Sequence, residues 1–146
     1  LKDFDSHLKY LKEKKFLTPG QAEAIDKKSV FNFLRGDLGQ RIIKSENVLR
    51  EYRFTVGIPA REVTHPNFSK DEDKILIQGA IDCVFEEKDG FVIVDYKTDK
   101  VKNLIELKSR YSKQLNIYKY AFEICEGLKV RELLIYSLTI GKWIEV

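Results

Sequence analysis

The sequence predicts an α/β domain in which a helical N-terminal segment leads into a mixed sheet with the order β-β-β-α-β-β. Three observations predict it. Apolar residues recur at helical spacing in the first part of the chain, residues 1–48. From Glu51 onward they alternate in short runs, as strands with one buried face do. One amphipathic stretch then separates the third run from the fourth, which permits a parallel crossover.

The elements follow in order. Phe4, Leu8 and Leu11 mark a first helix. Thr18-Pro19-Gly20-Gln21 reads as a capping box, with Thr18 as N-cap, Pro19 at the first helical position and Gln21 reaching back. Val30 to Leu34 is a short apolar helical stretch ending near Gly36, and Asp37 can cap another helix through Ile42 and Ile43. Tyr52, Phe54, Val56 and Ile58 form a strand ending at Pro59. Ala60 to Lys74, polar and containing His65-Pro66-Asn67, reads as a loop. Ile75 to Glu86 is the second strand, Glu87-Lys88-Asp89-Gly90 a four-residue hairpin turn, and Phe91 to Lys97 the third strand. The helix is clearest from Ser112 to Glu126, with Leu115, Tyr118, Phe122 and Cys125 on one stripe and Gly127 as its stop. Val130 to Leu138 is a strongly apolar strand, and Gly141 turns the chain into a last strand through Trp143 and Ile144.

Composition bounds the function. The chain has 146 residues, one domain's worth, and 43% hydrophobic residues suffice for a single core. No apolar run approaches the ~20 residues of a membrane helix, and no segment has the three parts of a signal peptide, so a soluble cytoplasmic protein is expected. Cys83 and Cys125 lie in apolar-patterned segments and read as two reduced, buried thiols. The net charge of +3 does not by itself imply nucleic acid. Lys97, Lys100, Lys102, Lys108, Arg110, Lys113 and Lys119 fall close together, which permits a polyanionic partner without requiring one. The sequence begins at Leu1 and contains no methionine, so a piece of a longer chain is expected.

Three pieces carry chemistry: Gly79-Ala80-Ile81-Asp82, Asp95-Tyr96-Lys97 and Gln114-x-x-x-Tyr118. Asp95 and Lys97 share a face of the third strand because side chains alternate with period two, while Val92 and Val94 take the other face. Asp82 lies in the preceding strand, where a hairpin spacing of about 4.8 Å lets two carboxylates meet. Such a pair repels unless a cation lies between them, and hard oxygen ligands suit Mg²⁺ or Mn²⁺. Lys97 beside them can contact a phosphate or polarise an attacking water, which is the set required for metal-assisted phosphodiester hydrolysis. Asp95-x-Lys97 alone fits a surface ion pair equally well. Gln114 and Tyr118, one helical turn apart, can hydrogen-bond or stack on a nucleotide, or Tyr118 can simply fill the core.

The stretch QGAIDCVFEEKDGFVIVDYKTDKV followed by YSKQLNIYKYAFE resembles the RecB-like branch of the PD-(D/E)XK nucleases, marked by GxxD, DYK and QxxxY motifs in this order. Within that branch the chain most resembles the C-terminal nuclease domains of AddA-type subunits of bacterial AddAB helicase–nucleases, including the LREYRF segment before the first strand. The resemblance covers almost the whole chain. It implies a restriction-endonuclease-like core with a mixed central sheet flanked by helices. Residues 1–146 would form a single domain, with 1–48 the helical part and 49–146 the catalytic core. It implies Asp82 and Asp95 as metal ligands with the Tyr96 carbonyl completing the site, Mg²⁺ or Mn²⁺ as the ion, and Lys97 as the catalytic lysine. Gln114 and Tyr118 would position DNA, Thr98 and Asp99 would shape the site, and Glu51 would lie near the cleft. The function implied is a DNA exonuclease acting in double-strand break processing and recombinational repair. Its partners would be DNA, a helicase portion of the same polypeptide and a second, AddB-like subunit. No G-x-x-x-x-G-K pattern is present, so ATP-driven work would lie elsewhere.

One departure stands out. The branch supplies a metal-binding histidine from a helix at the start of the domain, and neither His7 nor His65 has that setting, as though the sequence began just after that helix. The alternative is a non-catalytic DNA-guiding or docking module with a nuclease fold. The related CRISPR-associated exonucleases carry an iron–sulfur cysteine cluster, which two distant cysteines cannot provide.

Overall fold

The structure is a computed structural model and describes residues 2–59 and 74–146. The predicted loop, with His65, lies outside the described residues apart from Lys74, which opens a strand instead. Helices α1 (Lys2–Glu13), α2 (Pro19–Ala24), α3 (Lys27–Arg35) and α4 (Asp37–Lys44) precede strands β1 (Val48–Pro59), β2 (Lys74–Glu87) and β3 (Gly90–Lys97). Helix α5 (Leu104–Glu126) follows, and then β4 (Val130–Ser137) and β5 (Lys142–Glu145).

Local rules account for the ends of the helices. Thr18 Oγ1 accepts from Gln21 N while Gln21 Oε1 accepts from Thr18 N, the reciprocal pair the sequence predicts. Asp26 caps α3 by accepting from Lys28 N and Ser29 N. Asp37 does not cap α4 as expected. Gly36 holds the N-cap position, and the Asp37 carboxylate, one residue inside the helix, accepts instead from Trp143 Nε1 at 3.1 Å. Helix α5 starts at Leu104 rather than near Ser112, because Asn103 caps it through Glu106 N. Gly127 ends it in the left-handed conformation at φ 67°.

The five strands form one sheet in the order β1-β2-β3-β4-β5. Neighbours are antiparallel except β3 and β4, which are parallel across the α5 crossover. The β2–β3 turn is tighter than predicted: Glu87 pairs with Gly90, leaving Lys88 and Asp89 as a two-residue loop. Gly90 has φ 134° and lies so near the backbone that an added Cβ would meet Lys129 O at 2.8 Å.

Each face of the sheet is covered by a helix. Leu107, Leu115, Ala121 and Phe122 of α5 pack on Phe54, Ile81, Val84, Phe91, Ile93 and Ile135. On the other face Leu38 and Ile42 of α4 pack on Cys83, Phe85, Val92, Val94 and Leu134. Cys125 is exposed rather than on the buried stripe, because the last turn of α5 runs past its packed face. Arg41 pins α4 to the sheet by a two-pronged contact with Glu87 at 2.8 and 2.9 Å and a third bond to Glu132 at 2.8 Å.

The alternation of β1 and β2 slips at one shared rung. Leu49 and Tyr52 both pack toward α5, and so do Ile81 and Val84, although neither pair is an even number of residues apart. The rungs Arg50↔Cys83 and Tyr52↔Ile81 bracket Glu51 and Asp82, and Glu51 has φ 51°. Because both strands slip together, the register survives while the carboxylates at that rung leave the regular pleat.

Candidate active site

The β2–β3 ladder runs from Glu87↔Gly90 to Cys83↔Val94. One rung further, a side chain takes over from the backbone: Tyr96 N donates to Asp82 Oδ2 at 2.8 Å. The half-buried Asp82 is thereby turned against β3, beside Asp95. Gly79 supports this turn of chain, since a Cβ there would stand 2.7 Å from the Phe54 ring that fills the space.

Asp95 is 2% exposed. Its Oδ2 is buried without a well-aligned hydrogen bond, although Lys97 Nζ lies only 2.6 Å away, close enough for an ion pair. Burial raises the Asp95 carboxyl above the ordinary aspartate value of 3.8, the Lys97 contact opposes this, and the negative charges of Asp82 and Asp99 add to it. Burial pulls the Lys97 ammonium down, but the Asp95 contact and charge together outweigh it, so Lys97 is raised and stays protonated.

Helix α5 closes the site. Lys97 Nζ lies 3.4 Å from Gln114 Oε1, and Gln114 Nε2 donates to the Tyr118 hydroxyl at 2.6 Å. Tyr118 also meets the Phe54 ring edge-on at 5.8 Å, so it packs and hydrogen-bonds at once. Burial is the main cause that raises its hydroxyl, and Asp95 and Asp82 contribute through their charges. Tyr96 points to the opposite face, where its ring meets Phe33 at 5.5 Å. Burial, followed by the neighbouring Cys83, raises its hydroxyl. Thr98 is exposed. Asp99 accepts from the Tyr111 hydroxyl at 2.8 Å, and Tyr111 presents its ring to Lys97. Sequence reasoning missed Tyr111, whose signal was its spacing three residues before Gln114 and seven before Tyr118.

Glu51 and Arg50 line a cavity of about 520 Å³ with Asp82, Tyr96, Phe33 and Ile43, on the α4 side of the same rung. A larger depression of about 630 Å³ opens beside the β2–β3 turn, but the Arg41, Glu87 and Arg131 charges that line it are paired with one another. His7 is exposed on α1 with its ring stacked on Tyr10, and His65 lies outside the described residues. Cys83 is buried and Cys125 exposed, so the expectation of two buried thiols holds for the first alone.

Among the described residues no group of three or more His, Cys, Asp and Glu converges to hold a metal. The donors that do meet are two carboxylates, one of them buried and short of hydrogen bonds. That donor set fits a hard cation which keeps several of its own waters, such as Mg²⁺, better than a fully protein-coordinated ion.

A family model described as the PD-(D/E)XK nuclease superfamily matches residues 5–138, and the chain belongs to that superfamily. The mixed sheet with helices on both faces is its fold. The chain is also 37% identical, over 99% of its length, to the AddA-type ATP-dependent helicase/nuclease protein of Clostridium botulinum (strain Hall). It is 36% identical to the protein of the same name from Ruminiclostridium cellulolyticum, again over 99%. These relatives bear out the likeness to AddA-type domains, and the chain spans 11% and 12% of their lengths. Among solved structures, the crystal structure of SSO0001 matches with a TM-score of 0.47 and 16% identity, over 95% of this chain and 59% of that one.

Proposed function

We propose that residues 1–146 form the nuclease domain of a larger helicase–nuclease, with 1–48 the helical part and 49–146 the catalytic core, and that the domain is a DNA exonuclease. Asp82 and Asp95, with the Tyr96 carbonyl, would hold Mg²⁺ or Mn²⁺. The ion, when bound, supplies Lewis-acid charge against the negative charge that grows on the scissile phosphate. Lys97 then donates hydrogen bonds to a phosphate oxygen or to the attacking water, while Gln114 and Tyr118 set the strand against the site. In the longer chain this activity would trim strands delivered by an ATP-driven helicase portion, with a second, AddB-like protein, in the cytoplasm during double-strand break processing. Among the described residues no helix is long and apolar enough to cross a membrane.

The observation that carries this reading is the buried Asp95 oxygen that lacks a proper hydrogen bond beside Asp82 and Lys97. A fold selected for stability alone rarely keeps such a group. The test is digestion of end-labelled single- and double-stranded DNA with added Mg²⁺ or Mn²⁺, by this chain and by an N-terminally extended form. Asp82→Ala, Asp95→Ala and Lys97→Ala should each abolish cleavage. Activity surviving all three would sink the assignment.

One observation favours a second reading, a non-catalytic module that guides DNA: two carboxylates converge, and no third metal-binding residue joins them among the described residues. DNA binding without cleavage in the extended form would select it.

A further inference from the structure

The Lys97 ammonium is enclosed on three sides, and one of them is an aromatic face to which the proposed chemistry gives no role. Its Nζ lies 2.6 Å from Asp95 Oδ2, 3.4 Å from Gln114 Oε1 and 4.2 Å from the centre of the Tyr111 ring. Tyr111, Gln114 and Tyr118 share one face of α5 by helical spacing, so a single helix surface supplies the ring, the amide and the second hydroxyl.

Tyr111 is itself held. Its hydroxyl donates to Asp99 Oδ1 at 2.8 Å, and the Arg110 guanidinium lies 3.5 Å from the same oxygen. The Asp99 backbone carbonyl accepts from Thr139 Oγ1 at 2.8 Å, and that hydroxyl lies 3.1 Å from the hydroxyl of the buried Ser137 at the end of β4. The ring is thus fixed to the exits of both parallel strands while its face is turned to Lys97.

A lysine has a flexible four-carbon stem, and its ammonium is strongly hydrated in the open. Lys100 and Lys102, just beyond the strand, are exposed in that ordinary way. An aromatic face attracts the cation and excludes water from one side. The directions left to the ammonium are those of Asp95 and Gln114.

We propose that Tyr111, anchored by Asp99, is a positioning residue that aims the Lys97 ammonium at the Asp82–Asp95 site. The inference rests on the reading of Lys97 as the catalytic lysine.

Two measurements test it together. In metal-free protein carrying ¹³C-labelled lysine, the Lys97 side-chain signal is identified by its loss in Lys97→Ala. The ring current of Tyr111 should displace that signal upfield in the wild type and in Tyr111→Phe, and the displacement should vanish in Tyr111→Leu. In the cleavage assay Tyr111→Leu should lower kcat roughly five- to thirtyfold, the span of a partly desolvated cation–π contact. KM for DNA should stay within about twofold, and Tyr111→Phe should recover most of the rate. Should Tyr111→Leu fail to fold, Asp99→Ala, which frees the ring without removing it, should reduce the upfield displacement and kcat together. An ordinary lysine signal in the wild type would overturn the proposal. A wild-type rate in Tyr111→Leu with an inactive Lys97→Ala would overturn the positioning role alone. A wild-type rate in Lys97→Ala would overturn the nuclease reading and this proposal with it.

Discussion

Asp95→Asn should make the metal-free protein more stable while removing its catalytic function. The substitution preserves shape and removes one charge. In the wild type that charge belongs to a residue 2% exposed, with one oxygen buried and lacking an aligned hydrogen bond. A buried group left so costs about 1–3 kcal/mol. The Lys97 ammonium at 2.6 Å offsets part of this, yet burial still holds the Asp95 carboxyl above its ordinary 3.8. Lys97 loses less in the variant, because its side chain is 15% exposed and keeps the Gln114 oxygen and the Tyr111 ring. A net gain of about 1–2 kcal/mol at pH 7 follows, consistent with replacements of other buried ion pairs. For a domain of this size that is roughly 3–8 °C in Tm.

The pH dependence fixes the sign. A carboxyl whose pKa is higher in the fold than in the unfolded chain favours the fold where it is protonated, and loses that contribution as pH rises through the folded value. Below 3.8 the protonated wild type and the variant should therefore melt alike. Their difference should open as pH climbs through the raised Asp95 value and level off above it. Thermal melts in chelator across this range measure it. A wild type more stable than the variant by about 1 kcal/mol or more at pH 7, or a difference independent of pH, would refute the reasoning and make the Asp95–Lys97 pair a net stabiliser.

Other outcomes are expected. Gly79→Ala drives a methyl to 2.7 Å from Phe54 and through that ring against Tyr118, so stability should fall by about 1–3 kcal/mol in denaturant melts and cleavage should fall with it. Arg41→Ala leaves Glu87 and Glu132 facing each other without their cation. With the side chains about a quarter exposed or less, a loss of about 2 kcal/mol is expected from the same melts. Tyr118→Phe keeps the ring on Phe54 and removes the acceptor for Gln114, so Tm should change little while cleavage drops. Chelation should abolish cleavage, and Mg²⁺ or Mn²⁺ should restore it, as followed on end-labelled DNA.

What the sequence determined by itself follows from local periods. Alternation places Asp95 and Lys97 on one face of β3, and helical spacing places Gln114 and Tyr118 on one face of α5, because backbone geometry repeats every 2.0 or 3.6 residues wherever the chain lies. The order of elements, the parallel crossover and the family likeness were readable in the same way. Element ends were less so: Asp37 has a good N-cap side chain but lies inside α4, where Trp143, more than a hundred residues away, takes its carboxylate.

Tertiary structure alone decided the site's shape. The bond from Tyr96 N to Asp82 depends on β1 and β2 slipping their alternation at the same rung, which neither strand's own pattern shows. The Tyr111 ring reaches Lys97 because α5 returns across the sheet at one particular height, fixed by Leu107, Leu115 and Phe122 in the core. Cys125 carries the apolar pattern but lies beyond the surface that pattern was meant to cover. Periodicity says which way a side chain faces along its own element. What it meets there depends on the distance and register between elements, and those are set by packing between residues far apart in the chain.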